Sequence, residues 1–467
     1  MIKKILIITL IIFILLITST VNSTELNIEK LKNNKISNCN YIETYDLLII
    51  THELFQNEIK KLVDHKNNIN IKTKMVTTEK VYEEMFWHGR DNAEKIKYFI
   101  KTAIEEWNIK YVLLVGGRKD QSNYESWYIP VRYSFLERKY DEYPEKKFIS
   151  DLYYADIYNS EGGFSSWDND NDGIYSEWYE NDVATDIPDL YPDIPVGRLP
   201  CRNKRDAEII VDKIIQYENE IISDTWFKKM IVVAGDTYPK KTDYIDGEIY
   251  TQMALDYMMD FTPIKLWTSD ESLTNSWDTV KSLNKGCGFI FFSGHGNPAS
   301  WATHPPYDET IWIDGLKLRY MPFLFNKNKL PICITGSGCF NNMFNVSLLN
   351  HPYSIYPIPK CWGEAMIFNK HGGSIATIGS TAFSYESPDI NSNRGGIEKL
   401  DIQFFKQYGK NNYDILGECW KETIKAFLDD FPINWQDQSS NGDAIIVKNV
   451  QQWLLIGDPS LKIGGYN

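Results

Sequence analysis

Cysteine is scarce in this chain: seven in 467 residues, an odd number. That density excludes a disulfide-built scaffold, and the odd count leaves at least one thiol unpaired within the chain. Basic residues are outnumbered, 49 Lys and Arg against 63 Asp and Glu, for a net charge of −14. A general nucleic-acid binder needs a basic face for phosphate, so that class is excluded. Beyond the N-terminal segment no apolar run approaches the roughly 20 residues of a membrane span. No repeat recurs at a fixed period, and the Gly-x-Ser-x-Gly elbow of a serine hydrolase is missing. What is present is an ordinary globular composition, 43% hydrophobic and 24% charged. At about 150 residues per domain the length allows two or three domains.

Residues 1–23 read as a secretory signal peptide. Lys3 and Lys4 precede an uncharged apolar stretch over 5–17, then small and polar residues lead to a cut after Ser23. Removing this segment takes two lysines and no acid, so the mature charge is −16. The other reading is an uncleaved N-terminal anchor. The expected location is outside the cytoplasm, secreted or at the cell surface. Membrane contact is expected only if residues 1–23 stay attached. Residues 24–44, polar and rich in Asn and Lys, read as a short leader.

From residue 45 short apolar runs alternate with helical patterns. The runs cover 47–50, 111–115, 230–234, 289–292, 331–334 and 375–378. Runs of this length, rich in Ile, Val, Leu and Phe, fit strands buried on both faces. Helical periodicity marks Ile96, Phe99, Ile100, Ala103, Ile104 and Trp107, with Asp91 and Glu94 as an N-cap pair. It also marks Ile210, Ile214 and Tyr217; Ile249, Met253 and Tyr257; and Leu416, Cys419, Trp420, Thr423, Ile424 and Phe427. Strand and helix in alternation predict an α/β fold with a mainly parallel sheet. A stretch over 118–190, rich in Tyr, Trp, Asp, Gly and Ser, reads as a turn-filled insertion. The chain divides near 220–228 into an N-terminal subdomain, 45–222, and a second, 223–467.

In such a sheet chemistry gathers at the carboxyl ends of strands. The 289–292 run ends in Ser293-Gly294-His295-Gly296, and the 331–334 run in Thr335-Gly336-Ser337-Gly338-Cys339. Imidazole shuttles protons near neutrality, and a neighbouring histidine lowers a thiol's pKa. Two adjacent strand ends would set the groups side by side. Each motif is weak alone, since most histidines and free cysteines are structural.

The pattern resembles the gingipain family of cysteine peptidases in the caspase-like clan. Three further stretches resemble that family. They are Leu190-Tyr191-Pro192-Asp193-Ile194-Pro195-Val196-Gly197-Arg198-Leu199-Pro200, Cys361-Trp362-Gly363-Glu364-Ala365-Met366, and Leu455-Ile456-Gly457-Asp458-Pro459-Ser460-Leu461. The resemblance runs from about residue 45 to the end. It implies a caspase-like layered α/β/α fold of two subdomains, with 223–467 catalytic. It implies Cys339 as nucleophile and His295 as general acid/base. The backbone N–H groups of Gly296 and Cys339 would form the oxyanion hole. Where the family has a glutamate assisting the histidine, the matching position is Asp193, a shorter carboxylate. Cys361, before a helix, is the competing nucleophile. Cys333, Cys287 and Cys419 read as core, and His371 as part of a helix end.

Asp168, Asp170 and Asp172, followed by Gly173, repeat the alternate-oxygen spacing of a calcium loop. Tyr179 stands where an EF-hand needs Glu, with Glu177 and Glu180 off register, so the expectation is a calcium-stabilised loop rather than an EF-hand. No organic cofactor is expected. The expected activity is a secreted cysteine endopeptidase acting on a protein or peptide. The alternative is a non-catalytic, exported, calcium-stabilised binding module of the same fold.

Overall fold

The computed structural model describes residues 43–120, 125–137, 145–220, 224–240, 243–346, 358–387, 390, 394–438 and 442–466. The signal-peptide and leader assignments, with Cys39, lie outside the described residues. Fifteen strands are present among them: β1 Leu47–Thr51, β2 Thr73–Thr77, β3 Tyr111–Val115, β4 Tyr133–Phe135, β5 Lys147–Ile149, β6 Val196–Leu199, β7 Lys229–Ala234, β8 Thr262–Trp267, β9 Phe289–Ser293, β10 His295–Asn297, β11 Ser300–Thr303, β12 Ile313–Lys317, β13 Ile332–Thr335, β14 Ala376–Ser380 and β15 Trp453–Ile456.

Ten of them form one sheet in the order β2-β1-β3-β6-β15-β14-β13-β9-β7-β8. Every pairing is parallel except β14 with β15. Two five-stranded parallel halves therefore run in opposite directions and join at β14–β15. The mixed α/β architecture with a large, mainly parallel sheet is the one expected. All six apolar runs read from sequence are strands of it: β1, β3, β7, β9, β13 and β14.

These strands are apolar throughout because both faces are covered. Met230, Val232, Phe289, Phe291, Ile332 and Ile334 point into one core. Ile231, Val233, Ile290, Phe292 and Cys333 point into the other. Each fully buried side chain of this size contributes about 1.5–3 kcal/mol by leaving water. Cys333, Cys287 and Cys419 are core residues, as read.

Most helical stripes hold. In the Asn92–Trp107 helix, Asp91 caps by accepting from Glu94 N, and Ile96, Phe99, Ile100 and Ala103 are buried. Ile210, Ile214 and Tyr217 are buried in Lys204–Asn219, and the Leu416–Asp430 stripe is buried as read. One face is corrected. The Asp246–Tyr257 helix buries Tyr250, Thr251, Ala254 and Leu255, and Met253 is 38% exposed. The Ile249/Met253/Tyr257 stripe loses because the helix is set by its first turn. A Cβ at Gly247 would stand 2.7 Å from Gly235 O and 2.8 Å from Ser293 O, so this turn is wedged onto the ends of β7 and β9.

The described parts of the 118–190 stretch are turns, a short 3₁₀ turn at Leu152–Tyr154 and the two-stranded β4–β5 ribbon. Immediately after β9 the chain builds a separate antiparallel sheet, β10–β11–β12.

Candidate active site

β9 and β13 are parallel neighbours in register, Ile332 beside Phe289 and Ile334 beside Phe291. Both carboxyl ends therefore emerge at one edge, and the chain after each enters one cavity of about 1690 Å³ lined by His295, Gly296 and Cys339. The loops touch through backbone. A Cβ on Gly296 would lie 2.6 Å from Gly338 C and 2.8 Å from Cys339 O, so only glycine permits this approach. Asn341 stitches them further, its Nδ2 donating to Asn297 O at 2.7 Å and Ser300 O at 3.1 Å. Phe340, next to the cysteine, has φ +61°, a left-handed conformation that an L side chain holds only when its surroundings enforce it. Phe340 N donates to Ala382 O at 3.0 Å, which enforces it.

The Cys339 sulfur is half-buried and faces Ser384. The Ser384 hydroxyl lies 3.2 Å from Sγ, and Ser384 N donates to Sγ at 3.4 Å. Burial pushes the thiol above its ordinary pKa, while the two Ser384 contacts pull it down. The His295 Nε2 stands 2.8 Å from the carbonyl of Thr237, in the loop after β7. A carbonyl only accepts, so this contact places the ring proton on Nε2 and makes Nδ1 the basic nitrogen. Thr237 is fixed in turn, its N–H donating to Asp246 Oδ1 at 2.7 Å. Tyr238 and Trp312 stand edge-on to the imidazole, with centroids 5.6 and 5.2 Å away.

Asp193 is not brought to this site. Its Oδ2 accepts from Ile157 N at 2.7 Å and Tyr158 N at 2.8 Å, and it lines a separate cavity with Ile104 and Glu418. It precedes β6, four strand spacings from β9 in the sheet order, roughly 19 Å at ~4.8 Å per spacing. At the site itself, His295 Nε2 meets the main-chain carbonyl of Thr237. Cys361 is corrected as well. It is fully buried, burial drives its thiol pKa well up, and the Trp362–Ile367 helix behind it has only six residues.

Thr237, Asp246 and Ser384 are residues the sequence reading missed. The strand-end rule that found His295 and Cys339 also applies to β7, whose end reads Gly235-Asp236-Thr237. Ser384 carries no local signature; it follows β14 by four residues.

Buried acids surround the cysteine loop. Asp401 Oδ2 accepts from Ser337 Oγ at 3.2 Å, and Glu398 accepts from Ser387 N. Glu386 stands among these acids, and its carboxyl is held by Ser337. Burial first, then Asp246 and Glu398, raises Glu386 well above its ordinary pKa, and the Glu386 charge is among the influences that raise Cys339.

In the acidic loop, Asp168, Asp170 and Asp186 bring carboxylate oxygens within 4.8 Å of one another, as do Asp170, Asp172 and Glu177. All three aspartates read from sequence are thus in the cluster, and Asp186 and Glu177 complete it. The donor set is all oxygen, which suits a hard cation. Glu177 Oε1 is buried without a partner, and burial lifts the Asp186 carboxyl to about 6. Arg90 supplies a positive charge from the side, its Nη1 donating to Asp168 Oδ2 at 2.5 Å.

The fold thus brings a histidine and a cysteine to neighbouring strand ends of a mainly parallel sheet, lining one cavity. The chain belongs to Peptidase family C25, whose sequence profile matches residues 41–464. It is 21% identical over 426 residues to gingipain R2 of Porphyromonas gingivalis, covering 89% of this chain and 46% of that protein. It is 27% identical over 239 residues to Lys-gingipain HG66 of the same organism, covering 48% of this chain and 12% of that protein. The chain thus spans less than half the length of these curated relatives. The crystal structure of the Arg-specific cysteine proteinase gingipain R superposes with a TM-score of 0.61 at 19% identity, covering 90% of this chain and 78% of that one.

Proposed function

We propose that this protein is an exported cysteine endopeptidase in which Cys339 and His295 form the catalytic pair. The observation that carries this reading is the register of β9 and β13, which delivers both groups to one cavity. Nδ1 of His295 takes the thiol proton, the thiolate attacks the peptide carbonyl, and the N–H groups of Gly296 and Cys339 receive the developing oxyanion. The imidazolium then protonates the leaving amine. Water, activated by the same nitrogen, releases the acyl group and restores the thiol. The Thr237 carbonyl helps hold the ring orientation through these steps.

The substrate is a protein or peptide, cut after a basic residue. The crowd of acidic side chains beside the cysteine loop, Glu386 with Asp246, Glu398 and Asp401, supports this preference. Crowded buried carboxyl groups are costly to ionise, and a guanidinium or ammonium from the substrate would offset that cost. The names of the relatives, one Arg-specific and one Lys-gingipain, agree in charge. Calcium at Asp168, Asp170, Asp172, Glu177 and Asp186 is a structural part of the proposal. It supplies positive charge to a buried carboxylate cluster and takes no part in bond breaking.

The test is cleavage of casein and of arginyl and lysyl peptide substrates by residues 24–467, beside Cys339→Ala and His295→Ala. Both variants are expected to lose at least about 10³-fold in kcat/KM, in line with loss of a nucleophile or its base. Equal cleavage by wild type and Cys339→Ala would overturn the assignment. Failure of the wild type to cut any peptide with calcium present would favour the binding-module reading.

A further inference from the structure

The β10–β12 sheet starts at His295 itself and returns alongside it. Trp312, immediately before β12, is set opposite the end of β11. Its ring lies 3.9 Å from that of His304 and 5.2 Å from that of His295. It is nevertheless 56% exposed. The ring is held in place from below, because His304 is buried and its Nδ1 contacts Ile311 O at 2.7 Å. A large aromatic surface is thus fixed beside a catalytic imidazole and left open to solvent.

A second cavity, about 330 Å³, opens on this side. It is lined by His295, Trp312, Asn297, Ser300 and Lys317, and it does not include Cys339. It continues into the main cavity, which shares those residues. Its polar groups are already engaged with one another. Asn297 Nδ2 donates to Ser300 Oγ at 2.9 Å, Asn297 Oδ1 accepts from Ala299 N at 2.8 Å, and Lys317 pairs with Asp314 at 2.5 Å. The indole is the surface left to discriminate between ligands.

The chemistry of the proposed reaction assigns this cavity a side. In acylation the C–N bond breaks, carbon stays on Sγ, and nitrogen leaves with the proton from the imidazole. The residue that carries the leaving nitrogen therefore lies on the imidazole side of the thiol. A cavity that contains the imidazole and excludes the thiol is on that side. We propose that Trp312 forms a leaving-group-side subsite that takes an apolar or aromatic side chain of the residue following the scissile bond. The inference rests on the peptidase reading, and it adds a preference beyond the bond that the acidic residues do not reach.

The experiment compares substrates sharing one arginyl acyl half. One is a methyl ester, whose leaving group carries no side chain. The others are amides of alanine, leucine and phenylalanine peptides. Leucine and phenylalanine substrates are expected to exceed alanine about ten-fold or more in kcat/KM, the range for a side chain in an apolar pocket. Trp312→Ala is expected to lower the leucine and phenylalanine values about ten-fold more than the ester value, and Trp312→Phe to keep the preference. Ester hydrolysis by the wild type carries the peptidase reading on its own, so the two can fail separately. Equal losses on ester and amides in Trp312→Ala would make the ring a support for His295 and overturn the subsite. An unchanged leucine-to-alanine ratio in that variant would overturn it too. Acceptor competition gives a second readout. Leucinamide is expected to divert the acyl-enzyme from water more than alaninamide does, and Trp312→Ala to erase the difference.

Discussion

Ser384 supplies both of the hydrogen-bond contacts that favour a thiolate at Cys339. Donors to a charged acceptor stabilise it, so they lower the pKa of the acid that forms it. Removing the hydroxyl in Ser384→Ala shifts that pKa up. A hydrogen bond to a charged group is worth about 1.5–3 kcal/mol, which corresponds to about one to two pH units. The expected result is an iodoacetamide alkylation profile displaced upward by that amount; an unmoved profile would show that the contact does not reach the sulfur. At this scale His295 and Cys339 were legible because each ends an apolar strand and is flanked by glycines. Asp193 was misplaced because spacing along the chain does not report which strand end a residue reaches. Thr237 acts through its carbonyl, which every residue has, and so leaves no mark on a sequence.

The strands were the most legible elements. Burial on both faces demands unbroken apolar runs, and six such runs are strands of the sheet. β6 and β15 were harder. Val196-Gly197-Arg198-Leu199 carries a charge into the sheet because Arg198 is fully buried and paired with Asp151, Nε to Oδ2 at 2.6 Å. The Asp246–Tyr257 helix shows where periodicity misleads: packing of its first turn on β7 and β9 chose the face. The consequence is measurable by urea denaturation. Leu255→Ala removes a buried side chain and is expected to cost about 2–4 kcal/mol, while Met253→Ala on the exposed side is expected to stay within about 0.5 kcal/mol. The reverse order would restore the stripe read from sequence.

Across the whole molecule, charge is what the fold must manage. Lys66 is fully buried between Glu218, at 2.7 Å, and Asp458, at 2.8 Å, tying the Gln56–Asn68 and Lys204–Asn219 helices to the segment after β15. Its pKa is raised because the two carboxylates outweigh burial. Lys66→Met leaves both carboxylates buried without their cation and is expected to cost about 3–5 kcal/mol, read as a fall in the urea midpoint. A change below 1 kcal/mol would mean the cluster is hydrated. The acidic loop lacks such a lysine at its centre, and calcium at 100 times its dissociation constant would add about 2.7 kcal/mol. Chelation is then expected to lower the melting temperature by several degrees; an unchanged value would remove calcium from the account. The sequence revealed Asp168, Asp170 and Asp172 by their spacing. Asp186 came only with the fold, and Glu177, named from sequence only as off register, joins the cluster because a turn brings it back to the loop.

The pairing of Cys339 with His295 is tested most directly by covalent labelling of the nucleophile, the thiolate displacing carboxylate from an acyloxymethyl ketone to leave a thioether. A peptidyl-arginine acyloxymethyl ketone is mixed with wild type and with His295→Ala, and the modified residue is located by peptide mass spectrometry. The expected result is stoichiometric labelling of the wild type at Cys339, with loss of casein cleavage, and labelling slowed at least about 10²-fold in His295→Ala. Labelling at Cys361 or another thiol, or equal rates in the two proteins, would contradict the assignment.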